Sequence, residues 1–402
     1  MSATLHLSQR ARRIEPFYVM EMAKTAQAVA ARAAASGRPM IYLNIGEPDY
    51  GAPPLVREAA RARLAQGSPG YTQALGTPAL REAISGWYAQ HFGLEIPASR
   101  IAVTAGASGA LQLVCLALID AGDEVLMPDP CYPCNAHFVT AADGRAVRIP
   151  TDAAARFQLN AQQVAEHWGE RTRAVLLASP SNPTGTSIAA PEMARIHQAV
   201  RARGGQLIVD EIYLGLSHDA AYGQSALALG DDVISINSFS KYFGMTGWRL
   251  GWVVMPEALV PVFERLAQHL TICPSTLAQE AALACFVPES LQHCEQQRQM
   301  LRERRDAFIP ALNTLGLTVP VVPDGAFYAW ADVRALCARL GLADSWALAH
   351  AMLEHAGVAA TPGRDFSASQ GGHYIRFSTA SALPQLMQAT ERLAQWLRPC
   401  PP

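Results

Sequence analysis

The sequence has little excess charge of either sign. Its 402 residues include 32 lysines and arginines against 34 aspartates and glutamates, a net charge of -2. Proteins that bind mainly nucleic acid use a basic excess to displace counterions, so this balance argues against such a partner. Long apolar runs are also missing. None reaches the roughly 18–20 residues that cross a bilayer, so we expect no membrane partner.

Signals for export and for metal binding are missing as well. The first ten residues lack the apolar core of a signal peptide, so we expect a cytoplasmic protein. The eight cysteines are scattered and mostly lie in apolar runs, as reduced core residues do. Cys131 and Cys134 have the spacing of a redox pair or half a zinc site, but no second Cys/His pair stands at zinc spacing. We therefore predict no metal site.

Half of the residues are hydrophobic and 16% are charged, which is typical of a globular protein. From about residue 50 to 285, short apolar strands alternate with helical segments, a pattern that predicts a mostly parallel sheet with helices on both faces. The predicted strands end at Thr104, Met127, Ala178, Asp210, Asn237 and Met255. Too few residues separate Asn237 from Arg249 for a helical crossover, so residues 250–255 should form an antiparallel strand.

The pattern divides the chain into three parts. Residues 1–45 contain a helical stretch over about residues 18–36, ended by Gly37 and Pro39. After residue 288 the pattern changes to α+β, with helices expected over about residues 290–314, 344–356 and 381–398 and a strand near residues 317–322. We predict a large domain over residues 46–288 and a small domain over residues 289–402, which the N-terminal segment 1–45 joins.

The segment 238–249 carries the clearest chemical signal. It reads Ser-Phe-Ser-Lys-Tyr-Phe-Gly-Met-Thr-Gly-Trp-Arg. Lys241 comes just after two small hydroxyl residues, Ser238 and Ser240, and Arg249 follows eight positions later. A lysine can hold an aldehyde cofactor as a Schiff base while hydroxyls and an arginine grip its phosphate. The alternative is a surface lysine in a glycine-rich loop.

Further polar residues follow other predicted strands, where open α/β sheets bind ligands. Asp210 ends an apolar run, and its carboxylate could pair with a protonated pyridine nitrogen or merely cap the next element. Asn182 lies in a Ser-Pro-Ser-Asn-Pro-Thr-Gly loop, which by itself is only a turn signal. A small-residue turn precedes an apolar helix, whose first N–H groups can bind an anion; it contains Gly106, Ala107 and Ser108.

Together these segments resemble those of the class I/II aminotransferases, fold-type I enzymes that use pyridoxal 5'-phosphate (PLP). The resemblance covers residues 13–398, and the Lys241 segment and Arg376 are its most specific parts. It implies an α/β fold of the PLP-dependent transferase type I. The large domain would hold a mostly parallel seven-stranded sheet with one antiparallel strand, beside a smaller α+β domain. It also implies a homodimer.

The resemblance assigns a role to each cofactor residue. Lys241 would carry PLP and move the Cα proton, and Asp210 would keep the ring nitrogen protonated. Tyr213 and Asn182 would bind the ring oxygen. Tyr132, in a Pro-Cys-Tyr-Pro loop, would stack on the ring. The implied phosphate ligands are Gly106, Ala107, Ser108, Ser238, Ser240 and Arg249, with Tyr71 reaching the site of the neighbouring subunit.

The resemblance also assigns the substrate residues. Arg376 would bind the α-carboxylate of the amino acid, with Gly46 and Asn182 close to it. Tyr18 would line the entry, in the apolar segment 16–20. Residues 268–276 contain no arginine and residues 113–118 contain no lysine, where relatives that prefer dicarboxylic substrates place a cation. We therefore predict a neutral or hydrophobic amino donor, with pyruvate or 2-oxoglutarate as acceptor.

Two alternatives stay open. A PLP-dependent C–S lyase of the same fold would use Lys241 and Arg376 equally well. A non-catalytic PLP-binding sensor is the alternative of another class, although the lysine is intact.

One departure from the family pattern concerns a loop: Phe366-Ser367 stands where the family commonly has Phe-Gly, which leaves the conformation of that loop open. The predicted reaction is a ping-pong amino transfer.

Overall fold

The computed structural model describes residues 5–16, 18–33 and 39–398. The strands are β1 (Ile41–Tyr42), β2 (Ile101–Thr104), β3 (Glu124–Asp129), β4 (Arg145–Pro150), β5 (Thr172–Ala178), β6 (Gln206–Asp210), β7 (Ile234–Ser238), β8 (Gly251–Val254), β9 (Tyr328–Asp332), β10 (Val358–Ala359), β11 (Thr361–Pro362) and β12 (Tyr374–Ser378).

The α-helices are α1 (Gln9–Arg13), α2 (Tyr18–Ala33), α3 (Pro54–Ala65), α4 (Pro78–Phe92), α5 (Gly106–Leu118), α6 (Pro133–Ala141), α7 (Ala161–His167), α8 (Ala190–Arg201), α9 (Val260–Leu270), α10 (Thr276–Ala282), α11 (Pro288–Thr314), α12 (Arg334–Leu340), α13 (Ser345–Ala351) and α14 (Leu383–Leu397). A π-helical turn, Met352–Ala356, continues α13. In the described part of the chain, no helix is long and apolar enough to span a bilayer.

The central sheet has seven strands in the order β2-β8-β7-β6-β5-β3-β4. Strand β8 is antiparallel to both of its neighbours, and the other pairs are parallel. The predicted α/β fold and its single antiparallel strand are thus confirmed. The predicted strand ends are within two residues of the observed ones.

In the central sheet, the strand that the sequence pattern did not reveal is β4. It carries Arg145 and Arg148 and is only partly buried. It pairs with β3 alone, at one edge of the sheet. An edge strand has one solvated side, so its charged residues conceal the apolar run by which the inner strands were recognised.

Strand β5 shows why the inner strands read as continuous apolar runs. Its side chains alternate between two cores: Val175 and Leu177 pack in one, and Ala174 and Leu176 pack in the other. Helices cover both faces of a parallel sheet, so both sets of side chains are buried. The carboxyl ends of β5, β6 and β7 therefore lie side by side at one edge of this buried layer.

The C-terminal part has its own sheet and core. Strands β11, β12 and β9 form an antiparallel sheet, and β1 pairs in parallel with β10. The core beneath contains Met22, Ala26 and Ile41 from the N-terminal segment together with Phe308 and Leu393. Residues near both ends of the chain therefore share one apolar core.

One predicted element of this part differs from the structure. The strand expected near residues 317–322 is a single bridge, Thr318 to Asp332, because Pro320 and Pro323 lack the N–H donors that a strand ladder needs. Helix α12 was not predicted. The N-terminal helix begins at Tyr18 as predicted, but Gly37, its predicted end, lies outside the described residues.

Candidate active site

A cavity of about 370 Å³ lies at the carboxyl ends of the central strands. Residues that the sequence analysis singled out from distant segments line it together: Gly46, Ala107, Ser108, Tyr132, Asn182, Asp210, Tyr213, Ser238, Ser240, Lys241, Arg249 and Arg376. Gly106 does not line the cavity itself but lies next to the lining residues Ala107 and Arg249. Tyr18 and Tyr71 do not line the cavity. The fold thus brings most of the predicted site residues into one place.

Lys241 follows strand β7 and projects into the cavity. Its Nζ donates a hydrogen bond to the carbonyl oxygen of Gly46 at 2.6 Å. Burial lowers the pKa of Lys241 to about 8, although the nearby Glu47 carboxylate opposes that shift. The amine is therefore partly neutral near physiological pH, and a neutral amine is a nucleophile and a base.

Asp210 is the last residue of strand β6, and its side chain is buried beside the cavity. Its Oδ1 accepts a hydrogen bond from the N–H of Ile212 at 3.2 Å. Burial raises the pKa of Asp210 to about 7, while that hydrogen bond and Lys241 act in the opposite direction. A cationic N–H beside this carboxylate would stabilise its charged form.

One end of the cavity is suited to an anion. Helix α5 begins at Gly106, and Ala107 and Ser108 of its first turn line the cavity. The first N–H groups of a helix have no partner within the helix and carry a partial positive charge. The Arg249 side chain completes this end. A phosphate there would meet helix N–H groups, hydroxyls and a guanidinium.

The conformation of Gly106 permits that arrangement. Its φ is +75°, and a Cβ atom there would lie 2.5 Å from Arg249 Nη2. The two serines of the lysine segment bond to each other: the Ser238 Oγ donates to the Ser240 Oγ at 2.9 Å, and the N–H of Ser240 donates to the Ser238 Oγ at 3.0 Å. Both serine hydroxyls are therefore held in place at the cavity wall.

Arg376 lies at the other end, on strand β12. Its Nη1 donates to Asn182 Oδ1 and its Nη2 donates to the carbonyl oxygen of Asn44, both at 2.9 Å. The rings of Tyr328 and Phe366 lie 4.6 and 4.7 Å from the guanidinium carbon. These contacts fix the plane of a buried guanidinium, which suits two-pronged binding of a carboxylate.

Tyr328 is a cavity residue to which the sequence analysis gave no role. Its hydroxyl and that of Tyr213 are hydrogen-bonded at 2.7 Å. Burial, reinforced by Tyr328, raises the pKa of Tyr213 well above its ordinary value. A Cβ at Gly46 would lie 2.8 Å from the Tyr328 hydroxyl, so this close approach requires glycine. The Gly-Ala-Phe-Tyr run at residues 325–328 was the signal that could have revealed it.

Asn44 and Glu47 also line the cavity without having been predicted. Both flank Gly46, and proximity to that residue was the only sequence signal for them. Glu47 accepts a hydrogen bond from the Thr246 hydroxyl, which connects the N-terminal turn to the lysine segment. Neither the amide nor the carboxylate stands in a pattern that marks a site by itself.

Two predicted residues lie elsewhere. The Tyr18 ring faces the Arg364 guanidinium at 3.9 Å, outside the cavity, whereas its neighbours Val19 and Met20 line it. Phe17 of the same entry segment lies outside the described residues. Tyr71 is 83% exposed on this single chain.

The loop at Phe366-Ser367 does not require the glycine that the family commonly has there. The φ of Ser367 is not positive, and its Oγ accepts a hydrogen bond from the N–H of Gln370 at 3.0 Å.

Comparison with known proteins agrees with this geometry. The family model described as aminotransferase class I and II matches residues 38–393. The chain belongs to this family. It is 38% identical over 385 residues to the valine–pyruvate aminotransferase of Mycobacterium tuberculosis, with 96% of this chain and 97% of that protein covered.

Solved structures of similar proteins have the same fold. An aminotransferase from Mycobacterium tuberculosis superposes with a TM-score of 0.92 and 37% identity, covering 98% of this chain and 99% of the other. Aspartate aminotransferase from Thermus thermophilus, solved with maleate, gives a TM-score of 0.89 and 30% identity, with 98% and 100% covered. The chain is thus a fold-type I aminotransferase.

Proposed function

We propose that this aminotransferase holds PLP at Lys241 and moves the amino group of a neutral or hydrophobic amino acid to a 2-oxo acid by a ping-pong mechanism. One observation carries the proposal. A partly buried amine with a lowered pKa, a buried carboxylate and a buried guanidinium line the same cavity, and they belong to Lys241, Asp210 and Arg376.

The residues of the cavity fit PLP. The Asp210 carboxylate is buried with a raised pKa, so a pyridinium N–H is the partner that would stabilise its charge. Tyr213 and Asn182 could bind the ring oxygen, and Tyr132 could stack on the ring. The phosphate would be held by the first turn of α5 and by Ser108, Ser238, Ser240 and Arg249. When bound, PLP supplies an electron sink for the Cα electrons of the substrate.

Lys241 is the residue we assign to proton transfer. A general base works best when its pKa lies near the operating pH, and burial brings the pKa of Lys241 to about 8. Its amine would remove the proton from the substrate Cα as a general base and hold it at Nζ, from which the same group can donate it as a general acid in the next step. The Gly46 carbonyl, which accepts the hydrogen bond from Nζ, limits the positions that the amine can take.

Arg376 is the residue we assign to the α-carboxylate. Its guanidinium is buried, and hydrogen bonds to Asn182 and Asn44 orient it. Among the described residues, its Nε has no hydrogen-bond partner. A substrate carboxylate would therefore meet a pre-oriented cation in a site of low dielectric, where the pairing is stronger than in water.

The rest of the wall favours a neutral side chain. It contains the apolar residues Val19, Met20, Ala23, Ile45 and Leu111. Among the described residues that line the cavity, the lysines and arginines are Lys241, Arg249 and Arg376, all with another proposed role. A second substrate carboxylate would find no further cation. The name of the Mycobacterium tuberculosis relative, valine–pyruvate aminotransferase, contains a neutral donor and pyruvate and supports the same substrate class. We propose pyruvate or 2-oxoglutarate as the acceptor.

We further propose a cytoplasmic homodimer in which Tyr71 reaches the active site of the partner subunit. The exposure of Tyr71 on the single chain, 83%, supports this arrangement. We also propose the domain division at residues 45/46 and 288/289. The core that Met22 and Ile41 share with Phe308 and Leu393 supports joining the N-terminal segment to the small domain.

The test is an absorption spectrum of the purified protein, followed by titration with single amino acids. We expect a cofactor band that Lys241→Ala loses, and at least about a 100-fold loss of amino transfer in that variant. Alanine, valine, leucine, methionine or an aromatic donor should convert the band and release the matching 2-oxo acid. Aspartate, which carries a second carboxylate, should react much more weakly.

Three results would contradict the proposal. Release of ammonia and pyruvate from cysteine-like substrates, without amino transfer, would favour the lyase alternative. A retained cofactor band with no turnover of any amino acid would favour a sensor. Aspartate as the best donor would leave PLP binding intact but overturn the assigned substrate class.

A further inference from the structure

A short segment after strand β11 connects Arg376 to the N-terminal helix. Thr361 of β11 pairs with Arg376 of β12 across the antiparallel ladder. A 3-10 turn, Gly363–Asp365, follows at once. A Cβ at Gly363 would lie 2.6 Å from the carbonyl oxygen of Gly371 and 2.8 Å from the Trp330 ring. The turn is therefore packed tightly against its surroundings, in a defined position relative to Arg376.

Asp365, the last residue of this turn, holds the start of helix α2. Its carboxylate is buried and accepts hydrogen bonds from the N–H groups of Tyr18, at 2.9 Å, and Val19. N–H groups at a helix start have no partner within the helix, and the helix dipole favours a negative charge there. The cap comes from a residue 347 positions away, so it is a tertiary contact.

The residues on either side of Asp365 strengthen the same connection. The Arg364 guanidinium lies over the Tyr18 ring at 3.9 Å and over the Trp346 ring at 4.8 Å. The Phe366 ring lies against the Arg376 guanidinium at 4.7 Å. Three consecutive side chains thus contact, in turn, the first residue of α2, its backbone and the arginine of the site.

Helix α2 in turn supplies part of the cavity wall. Val19, Met20 and Ala23 of its first two turns line the cavity, and Met20 is 56% exposed. These are apolar side chains on the helix end that Asp365 holds. The Asp365 cap therefore connects this wall to the turn whose next residue, Phe366, contacts Arg376.

We propose that Asp365 is a positioning residue that holds the α2 wall in place for long apolar substrate side chains, so that it affects a donor such as leucine more than alanine. The proposal rests on the proposed function, because it takes Arg376 as the site of the α-carboxylate. With the carboxylate held there, a leucine or methionine side chain would extend toward the α2 wall. The methyl group of alanine is much shorter and would depend less on the position of that wall. Loosening the wall should therefore penalise long side chains selectively.

The experiment compares Asp365→Ala with the wild-type holoenzyme, using leucine and alanine as donors at saturating 2-oxoglutarate. We expect kcat/KM for leucine to fall about fivefold, chiefly through KM, as the loss of a helix cap implies, while alanine changes less than about twofold. Asp365→Asn keeps the shape and one acceptor oxygen, so it should show a smaller change in the same direction. It also tests the proposal if the alanine variant does not fold.

Asn160→Ala is the matched control. Asn160 caps helix α7, and its side chain accepts from the N–H of Gln163 at 2.8 Å. None of the described residues of α7 lines the cavity. This variant should lower the Tm without altering the ratio of the leucine and alanine kcat/KM values. A merely structural cap at Asp365 would behave in the same way.

The outcomes separate this proposal from the function on which it rests. If wild-type protein transfers amino groups but both Asp365 variants keep the leucine-to-alanine ratio, the positioning role is overturned and the proposed function stands. An equal loss for both donors would also overturn it, because the cap would then serve the whole site. If wild-type protein transfers no amino group from any donor, the proposed function fails first, and this proposal fails with it.

Discussion

Lys241 and Asp210 line the same buried cavity, and burial moves their pKa values in opposite directions. It lowers the pKa of the lysine to about 8 and raises that of the aspartate to about 7. Both shifts have one cause, because a low dielectric penalises the charged form of either group. Each group therefore titrates much closer to neutral pH than it would at the surface.

At the residue scale, we predict that PLP uptake by the apoprotein depends on the protonation of Lys241. The neutral amine is the reactive form, so the rate should rise with pH, by up to about tenfold per unit, and level off above a midpoint near the pKa of about 8. The Glu47 carboxylate raises this pKa, so Glu47→Gln should move the midpoint to lower pH.

The measurement is the absorbance change on mixing apoprotein with PLP at a series of pH values. The glutamine variant keeps an oxygen that can accept from the Thr246 hydroxyl, so the contact between the two segments has a replacement. A midpoint that stays in place, or moves upward, in Glu47→Gln would contradict the electrostatic explanation. A wild-type midpoint near 10.5, the ordinary value of lysine, would contradict the effect of burial.

At the scale of elements, the site depends on where strands end and helices begin. Helix α5 starts at Gly106, whose positive φ turns the chain from β2 into the helix and leaves room for Arg249. An L-residue at such a φ costs about 1–2 kcal/mol. Here a side chain would also displace the Arg249 guanidinium. A substitution at Gly106 therefore combines two effects that can be measured separately: backbone strain and a steric clash with Arg249.

We predict that Gly106→Ala and Gly204→Ala are both destabilised by about 1–2 kcal/mol, while only Gly106→Ala binds PLP more weakly. Gly204 is the matched control. Its φ is +67°, and among the described residues, apart from its chain neighbours, no atom lies within 4 Å of the position that a Cβ would take. At Gly106, by contrast, Arg249 Nη2 would be 2.5 Å away.

Urea unfolding of the two apoproteins measures the loss of stability, and PLP titration measures the change in affinity. A smaller stability loss at Gly204 than at Gly106 would show that the side-chain clash, and not φ alone, destabilises the fold. Equal PLP affinity in both variants would show that Arg249 can move away from the new Cβ atom without weakening PLP binding.

At the scale of the whole molecule, the single chain leaves one predicted residue without a local role. Tyr71 is exposed and lies outside the cavity. In a two-fold symmetric dimer, each subunit would offer its Tyr71 to the other in the same way. The proposed homodimer can therefore be tested without a structure of the interface.

We predict that mixing two inactive variants restores activity. Lys241→Ala lacks the amine, and Tyr71→Ala lacks the residue proposed to act across the interface. After exchange of subunits, a mixed dimer holds one intact site, with Lys241 from one chain and Tyr71 from the other. A random mixture should recover about a quarter of the wild-type activity, because half of the dimers are mixed and one of their two sites is intact.

The readout is the rate of amino transfer after mixing and subunit exchange, with each variant alone as the control. A mixture no more active than the mean of the two variants would place Tyr71 in its own subunit or outside the site. Sedimentation of the wild-type protein gives the independent check on the dimer. A stable monomer with full activity would contradict the whole arrangement.

Much of the fold could be predicted because its signals are local. The buried strands β5 and β6 read as apolar runs, and the short connection after Asn237 required the antiparallel β8. The small residues around Gly106 marked the start of α5. The lysine, serines and arginine of the Lys241 segment indicated a site for an aldehyde cofactor with a phosphate. Strand β4 escaped because it lies at the edge with charged residues, and the strand near residues 317–322 was wrong because prolines interrupt its ladder.

The sequence by itself determined which residue types are available and on which elements they lie. Only the tertiary structure decided their distances: Lys241 meets Gly46 from 195 positions away, and Arg376 meets Asn182 from 194. It also decided that Val19 and Met20, rather than Tyr18, face the cavity. The physical reason is that local patterns follow from backbone geometry, whereas such contacts, and the burial that shifts a pKa, exist only once distant segments pack together.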